Sequence, residues 1–323
     1  MTFSLIIFLV FLLLPAYFSL MKKSIRTDII LLLAAMLWGL GFVAQRDGMS
    51  HIGPFYYSAI RFGIGVICLL PVFFMTRHQE AAIKAKTKTI LFAGLITGLF
   101  LFLAVSAQQV GLKTTTASKA GFITSLYMIL VPVFGIFVGH KTKKYVWISI
   151  IVALAGVYFM SVSRDLTILS GDLFILLCAV LWAVHFLFIA HYASRVGAIR
   201  LSIMQFFVCA ILSLLTALFS ESISPAALRP ALPAILYGGI GAVGIAYTLH
   251  VIALKDANPA YASLILSMES VFAAIGGWLI LSESMSARQL AGAGLILGAV
   301  IFSQLREQNS IRRNKRITAP DTL

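Results

Sequence analysis

Two charged side chains lie deep inside apolar runs of this sequence, and they are its first candidates for chemistry. Glu269 interrupts the run LILSMESVFAAIGGWLIL, and Arg61 lies within an apolar run at 55–76. A charged residue at the centre of a membrane helix costs about 2.5–3.5 kcal/mol on insertion scales. Such residues are therefore candidates for a functional role, and we predict that both line a central water-filled cavity.

The polar candidates have competing interpretations. Glu269 suits contact with a solute amine or a coupling site that takes up a proton, but a hydrogen bond to a neighbouring helix explains it equally. Arg61 suits recognition of a solute carboxylate, but a structural pair with Glu269 or with backbone carbonyls explains it too. For Gln108, Gln109 and His250, near predicted helix ends, a role at the interface or in loop bonding explains the residue equally well.

Aromatic and polar side chains recur at helical spacing in two parts of the chain. Trp38, Phe42 and Gln45 share one helical face, and Trp182 and Phe186 repeat the pattern with His185 beside them. An aromatic-walled pocket and simple helix packing both explain this spacing. Glu269 is also the candidate for proton coupling. The predicted solute-binding set is Trp38, Phe42, Gln45, Arg61, Tyr127, Trp182, His185, Gln205, Tyr247 and Glu269.

The composition indicates that the solvent of this chain is a lipid bilayer. Hydrophobic residues make up 60% of it and charged residues only 11%, against about 25% charged residues in soluble domains. The net charge of +14 does not indicate nucleic-acid binding, because the basic residues lie in short spacers between apolar runs. Cys68, Cys178 and Cys209 lack metal-ligand spacing, so we expect no metal site, no cofactor and no disulfide framework.

Ten apolar runs follow the basic patch at Lys22 and Lys23, each with roughly the 20 residues that cross a bilayer as a helix. Lipid permits only helices or closed barrels, and the runs are continuous rather than alternating. They predict an all-α membrane protein with ten transmembrane helices. Most of the 25 Lys and Arg residues lie on the side of Lys22, which places Met21 and the C-terminus in the cytoplasm. The predicted spans, numbered 1 to 10, are 28–45, 55–76, 89–109, 116–139, 144–162, 172–190, 200–219, 231–253, 259–281 and 287–304.

Two terminal segments fall outside these spans. Residues 1–20 are apolar but lack the basic residues of a secretory signal, so they are interpreted either as translation from an upstream start codon or as an extra helix. Residues 305–323 are expected to form a basic cytoplasmic tail, which is polar and disordered from Glu307 onward.

An internal repeat divides the chain into two units, 28–162 and 172–304. DIILLLAAMLWGLGF from Asp28 matches DLFILLCAVLWAVHF from Asp172, at a shift of 144 residues. Later in each unit a shift of 142 residues sets Tyr127 opposite Glu269. Each unit holds five spans, and five is odd, so the second unit enters the membrane from the opposite side. The sequence therefore predicts two inverted five-helix repeats, an architecture typical of secondary transporters.

These residues also resemble the EamA-type branch of the drug/metabolite transporter (DMT) superfamily, over about 28–304. In this sequence Ser270 replaces the usual Pro and Ser282 the usual Gly of that family. His140 and Lys141 replace the Gly-Glu pair in the first unit, so no Glu role is carried over to that position. The motifs that carry the resemblance are AAMLWG at 34–39, CAVLW at 178–182, Arg61 in span 2, MESVFAAIGGWLILSES at 268–284 and RQLAGAGLILGAVI at 288–301.

The resemblance implies a multi-pass secondary transporter of the bacterial inner membrane, and not an enzyme. It implies movement of small organic solutes such as amino acids, metabolites or drugs by alternating access, with efflux the expected direction and a proton a candidate partner. The sequence has no GxxxxGK[ST] phosphate loop and no HExxH motif. A membrane-embedded enzyme or lipid-handling protein is the alternative from another class. An ion channel is a third option, but the sequence offers no pore motif for it. The substrate and the oligomeric state stay open.

Overall fold

The computed structural model of this protein describes residues 23–115, 117–161, 170–222, 224–281 and 286–318. Within these ranges all regular structure is helical, which confirms the predicted all-α class. The extra segment at 1–20 and the motif end Ser282–Ser284 lie outside the described residues.

Most predicted spans are single helices that begin at the predicted start or up to five residues before it. Several extend beyond the predicted end, by six residues in α1, α2 and α7 and by 14 in α13. Helix breaks occur where a following Pro or Gly starts the next helix, as at Pro54 and Gly197. These helices are α1 Lys23–His51, α2 Pro54–Ala82, α3 Thr87–Leu112, α6 Lys144–Ser161, α7 Ser170–Val196, α8 Ala198–Ser220 and α13 Ala287–Thr318.

Three predicted spans are interrupted. Span 4 consists of α4 Ala117–Ser125 and α5 Tyr127–Phe137. Span 8 consists of α9 Pro225–Leu236, a π-helical segment Tyr237–Tyr247 and α10 Thr248–Leu254, and span 9 consists of α11 Pro259–Leu266 and α12 Glu269–Leu281. Long π-helical stretches are rare and mark functional regions.

The helices are long and apolar enough to cross a bilayer. Among the described residues, nine stretches meet that length and hydropathy, and the remaining predicted span is a shorter apolar helix, Lys144–Met160. Large apolar side chains also face outward, where a soluble protein would carry polar ones. On α3 this outer face is formed by Leu91, Phe92, Leu95, Leu99 and Leu103.

The C-terminal tail differs from the prediction. Residues from Glu307 onward were expected to be disordered, but α13 continues as a helix to Thr318. The stretch EQNSIRRNKRIT contains no Gly or Pro to end the helix. Glu307 also accepts a hydrogen bond from Lys143 Nζ at 3.2 Å and another from the Tyr145 hydroxyl, which holds the first turn of this extension against α6.

Helices α2 and α8 pack side by side, and each helix caps the other. At the end of α8, Glu221 accepts hydrogen bonds from the backbone N–H groups of Phe55 at 3.0 Å and Tyr56 at 2.9 Å, at the start of α2. At the end of α2, Glu80 accepts from Arg200 at the start of α8, at 3.4 Å from the backbone N–H and 3.3 Å from Nε. Carboxylates satisfy the free N–H groups of a helix start and favour its dipole. The two helices therefore run antiparallel.

Helices α1 and α12 touch at a glycine. A Cβ atom on Gly39 would lie 2.5 Å from the carbonyl oxygen of Glu269 and 2.8 Å from the backbone nitrogen of Ala273. Backbone atoms cannot move aside as a flexible side chain can, so this position accepts only glycine. The close approach fixes α12, and with it the backbone of Glu269, against α1.

We expect Gly39→Ala to destabilise the protein by about 1–3 kcal/mol, because the added methyl group overpacks a backbone contact. Gly63→Ala on α2 is the matched control, since a Cβ atom there meets nothing within 4 Å, and we expect it to be neutral or slightly stabilising. Thermal unfolding of the two variants in detergent measures the difference. Equal stability of the two variants would contradict the contact.

Candidate functional site

A cavity lies where α1, α2, α3 and α7 meet the π-helical segment of span 8 and the interrupted spans 4 and 9. Its volume is about 40 Å³, which is room for about three water molecules. Both halves of the chain contribute to its wall. The lining residues are Trp38, Phe42, Gln45, Arg61, Gln108, Thr124, Tyr127, Trp182, Phe186, Ala242, Tyr247 and Glu269.

The structure brings together most of the residues predicted from the sequence. The two predicted residues that do not line the cavity are His185 and Gln205, which lie behind its wall and bond to each other, with His185 Nε2 2.9 Å from Gln205 Oε1. The predicted residues that line it are Trp38, Phe42, Gln45, Arg61, Tyr127, Trp182, Tyr247 and Glu269.

Aromatic rings form one wall of the cavity. Tyr247 of the π-helical segment contacts Trp38 edge to face at 4.7 Å between ring centroids, and it stacks on Trp182 at 5.7 Å. Tyr127 packs against Phe186 at 5.3 Å. The indole N–H of Trp38 donates to a backbone carbonyl of the π-helical segment, that of Ala242, at 3.1 Å. The wall therefore ties α1 and α7 to the same segment of span 8.

Glu269 lies at a break in span 9, as the first residue of α12. Its side chain is buried, and Oε1 accepts a long hydrogen bond from the hydroxyl of Tyr127 at 3.4 Å. Tyr127 is itself the first residue after the break in span 4. A helix N-terminus favours negative charge, which supports a carboxylate at this position. The hydroxyls of Ser125 and Ser270 lie 3.4 Å apart beside the two breaks.

Arg61 is 2% exposed and is held from α3 rather than by an acid. With the amide of Gln109 oriented so that both of its ends find partners, its oxygen accepts from Arg61 Nη2 at 3.0 Å and from Ser58 Oγ at 3.0 Å. The guanidinium also lies over the ring of Tyr57 at 5.2 Å. Among the ion pairs of the described residues there is none between Arg61 and Glu269, so the predicted alternative of such a pair is wrong.

Several residues of the site escaped the sequence analysis. Gln108 and Gln109 end α3, where interface and loop roles explained them equally, yet Gln108 lines the cavity and Gln109 bonds Arg61. Thr124 and Ala242 carried no signal, because small residues are common in membrane helices. The adjacency of two Gln residues at the end of an apolar run was the one clue available. Among the described residues no group of three His, Cys, Asp or Glu side chains could hold a metal ion.

Comparison with known proteins agrees with this architecture. A family model described as the EamA-like transporter family matches residues 25–162 and again 169–305. An "Uncharacterized transporter" of Archaeoglobus fulgidus is 30% identical over 285 residues, covering 88% of this chain and 87% of that protein. The "Uncharacterized transporter YoaV" of Bacillus subtilis is 23% identical, covering 83% of this chain and 93% of that protein.

Two further likenesses concern the membrane and the fold. The "Uncharacterized inner membrane transporter YedA" of Escherichia coli K12 is 23% identical, covering 84% of this chain and 88% of that protein. A solved crystal structure superposes with a TM-score of 0.75 at 20% identity, over 88% of this chain and 98% of that chain, and shows the same fold. Since the family model matches both halves and the described helices are built to cross a bilayer, this chain is a multi-pass membrane protein that belongs to the EamA-like transporter family.

Proposed function

We propose that this protein is a secondary transporter that moves small organic solutes across the membrane by alternating access to the central cavity. The halves 28–162 and 172–304 act as two inverted units around it. One observation carries the proposal. Both halves line a single buried cavity, and its one base, Arg61, and its one acid, Glu269, are not paired with each other.

Helix direction supports the inversion. The repeat pairs α2 with α8, because Arg61 and Phe62 correspond to Gln205 and Phe206 at the shift of 144. The reciprocal caps require α2 and α8 to run antiparallel. The capped starts also correspond, since Gly53 and Gly197 precede the two helices and are 144 residues apart. Corresponding helices run antiparallel when the two units have opposite orientations.

Helix packing supports a two-fold relation between the halves, because the main contacts come in exchanged pairs. Helix α3 packs on α7, and its counterpart, the π-helical segment of span 8, packs on α1. Helix α3 also packs on α8, while the π-helical segment packs on α2. Helix α12 of span 9 packs on α1, and α5 of span 4 packs on α7. Exchanging the two halves therefore reproduces the contact pattern, and each half can make the same contacts whichever way the cavity faces.

The cavity suits a solute with polar ends and an apolar or aromatic body. Arg61 matches a carboxylate, and Glu269 matches an amine or exchanges a proton. The side-chain oxygens of Gln45 and Thr124 have no hydrogen-bond partner among the described residues, so both can bond a solute. The aromatic wall supplies stacking area. Amino acids, purine-type metabolites and cationic aromatic drugs all fit parts of this description.

The size of the cavity requires movement of the halves. About 40 Å³ is far below the roughly 300 Å³ of even a small ligand pocket. The cavity must therefore widen to admit an organic solute. Efflux is the expected direction, and the basic spacers on the side of Lys22 favour a cytoplasmic position for that side. An enzyme is not favoured, because Glu269 is the only carboxylate that lines the cavity and so lacks a second acid or base of the His, Asp or Glu kind beside it.

The first test is transport by purified protein in liposomes. We expect the wild-type protein to take up at least one member of a panel made of an aromatic amino acid, a purine base and a lipophilic quaternary cation. If one proton leaves the liposome for each solute that enters, an interior more acidic by one pH unit supplies about 1.4 kcal/mol for uptake. That free energy corresponds to about tenfold accumulation of the solute inside the liposome. Glu269→Gln mimics the protonated acid, so we expect it to lose the response to the pH gradient and to keep solute exchange.

The control for this test is Asp47→Asn, which neutralises an exposed acid near the end of α1. It should transport and respond to pH like the wild-type protein. A Glu269→Gln protein that still responds to the gradient would contradict the coupling role. Wild-type liposomes that move no member of the panel would count against the transporter itself.

The bond between Gln109 and Arg61 predicts a strong coupling in a double-mutant cycle. Gln109→Leu leaves the buried guanidinium without its acceptor, and we expect a loss of about 1.5–3 kcal/mol of folding stability. In the Arg61→Leu background the charge is gone, so the same change should cost much less. Thermal unfolding of the four proteins in detergent measures the coupling. Additive effects would show that Gln109 does not hold Arg61.

A further inference from the structure

A second polar cluster lies behind the aromatic wall of the cavity. It consists of His185 on α7, Gln205 on α8 and His250 on α10, and all three side chains are fully buried. His185 Nδ1, Gln205 Nε2 and both ring nitrogens of His250 have no hydrogen-bond partner among the described residues. A buried polar atom without a partner destabilises the fold, so four of them in one place call for a functional reason.

One layer of rings separates this cluster from the cavity. The His250 ring lies 4.3 Å from the ring of Phe186 and 5.3 Å from that of Trp38, between centroids. The His185 ring lies 5.4 Å from that of Trp182. Phe186, Trp38 and Trp182 also line the cavity. A shift of these rings would connect the cluster with the cavity.

The internal repeat relates the cluster to the polar residues of the cavity. The shift of 144 residues takes Arg61 to Gln205, and the shift of 142 takes Gln108 to His250. Arg61 and Gln108 line the cavity, whereas Gln205 and His250 are sealed. Arg61 and Gln205 occupy corresponding places on the antiparallel helices α2 and α8. Inverted units would place the members of each pair on opposite sides of the aromatic wall.

We propose that His185, Gln205 and His250 form a second solute subsite, which receives the polar end of the solute when the cavity opens to the opposite face. This rests on the proposed transport function. In the state that this structure shows, Arg61 and Gln108 line the cavity and the second subsite is closed. When the halves rock, the counterparts Gln205 and His250 take the position that Arg61 and Gln108 hold now.

The chemistry of the second subsite differs from that of the first. The Gln205 amide oxygen lies 2.9 Å from His185 Nε2, so with this amide orientation Nε2 donates and a neutral imidazole keeps Nδ1 as an acceptor. The Gln205 amide nitrogen is left as a donor without a partner. A cluster with a free acceptor and a free donor fits the edge of an amide, a purine or an amino-acid head group. The subsite carries no fixed charge, whereas Arg61 does. A solute carboxylate is therefore held less tightly at the second subsite, which favours its release at that face.

Thiol labelling from each side of the membrane tests the proposal. Cys68, Cys178 and Cys209 are first replaced by Ala, and single cysteines are then introduced as Gln205→Cys, His250→Cys or Gln45→Cys. Ser213→Cys is the matched control, because Ser213 is a buried polar residue two turns further along α8. A membrane-impermeant methanethiosulfonate reagent is applied to right-side-out and to inside-out vesicles, and the rates of labelling are compared.

We expect Gln45→Cys to be labelled from one face and Gln205→Cys from the other face alone, with Ser213→Cys unreactive from both. The panel member that the wild-type protein transports should slow the labelling of Gln205→Cys about three- to tenfold when added at the reactive face, as for one or two hydrogen bonds. His250→Cys provides an independent reporter should Gln205→Cys fold poorly, which gel filtration would show.

Three results would overturn the second subsite. The first is that Gln205→Cys and His250→Cys are labelled from the same face as Gln45→Cys. The second is that both are labelled no faster than Ser213→Cys, and the third is that the transported solute does not slow their labelling. None of them contradicts transport through the cavity. If instead the wild-type protein transports no member of the panel, the transport function fails, and the second subsite fails with it.

Discussion

A polar site inside an apolar protein persists only if its partners come from the protein itself, and the rest of this structure follows from that constraint. Lipid offers no hydrogen bonds, so a buried charge needs a partner at a fixed distance. Gly39 sets one such distance, since any Cβ there would collide with the Glu269 carbonyl. It lets α1 lie directly on α12, which brings Glu269 to the hydroxyl of Tyr127 and the aromatic face of α1 to the same cavity.

The same constraint explains why the acid and the base are kept apart. A direct pair of Arg61 and Glu269 would satisfy both charges, but it would also occupy the groups that could bind a solute. Instead Gln109 holds Arg61, and Tyr127 holds Glu269, each from a different helix. Neutral partners reduce the cost of burial without cancelling the charge. Both charges therefore remain on the cavity wall without pairing with each other, as the proposed binding of a solute with opposite charges at its ends requires.

Part of this arrangement could be predicted from the sequence, and there is a physical reason why the rest could not. Span positions follow from hydropathy, and Trp38 and Phe42 follow from helical spacing, because both depend on residues near in sequence. The bond from Gln109 to Arg61, the bond from Tyr127 to Glu269 and the contacts that hold Glu307 against α6 depend on neighbours from other helices. For the same reason a pair of Arg61 with Glu269 was plausible from the sequence alone. A sequence shows two opposite charges, but it does not show which neutral side chains lie within hydrogen-bond distance of them.

The repeat finally separates what the fold supplies from what individual residues supply. Both halves share an aromatic position, Trp38 in one and Trp182 in the other, and a glycine that precedes the second helix, Gly53 or Gly197. Both also have a break in the fourth helix of the unit, which is span 4 or span 9. The charged positions of the cavity wall are not shared, because Glu269 corresponds to Tyr127, and Arg61 to a neutral glutamine. We infer that the common scaffold provides two equivalent ways of facing the membrane. On that proposal, the unequal charges of the cavity wall make the two states bind a solute with different affinity.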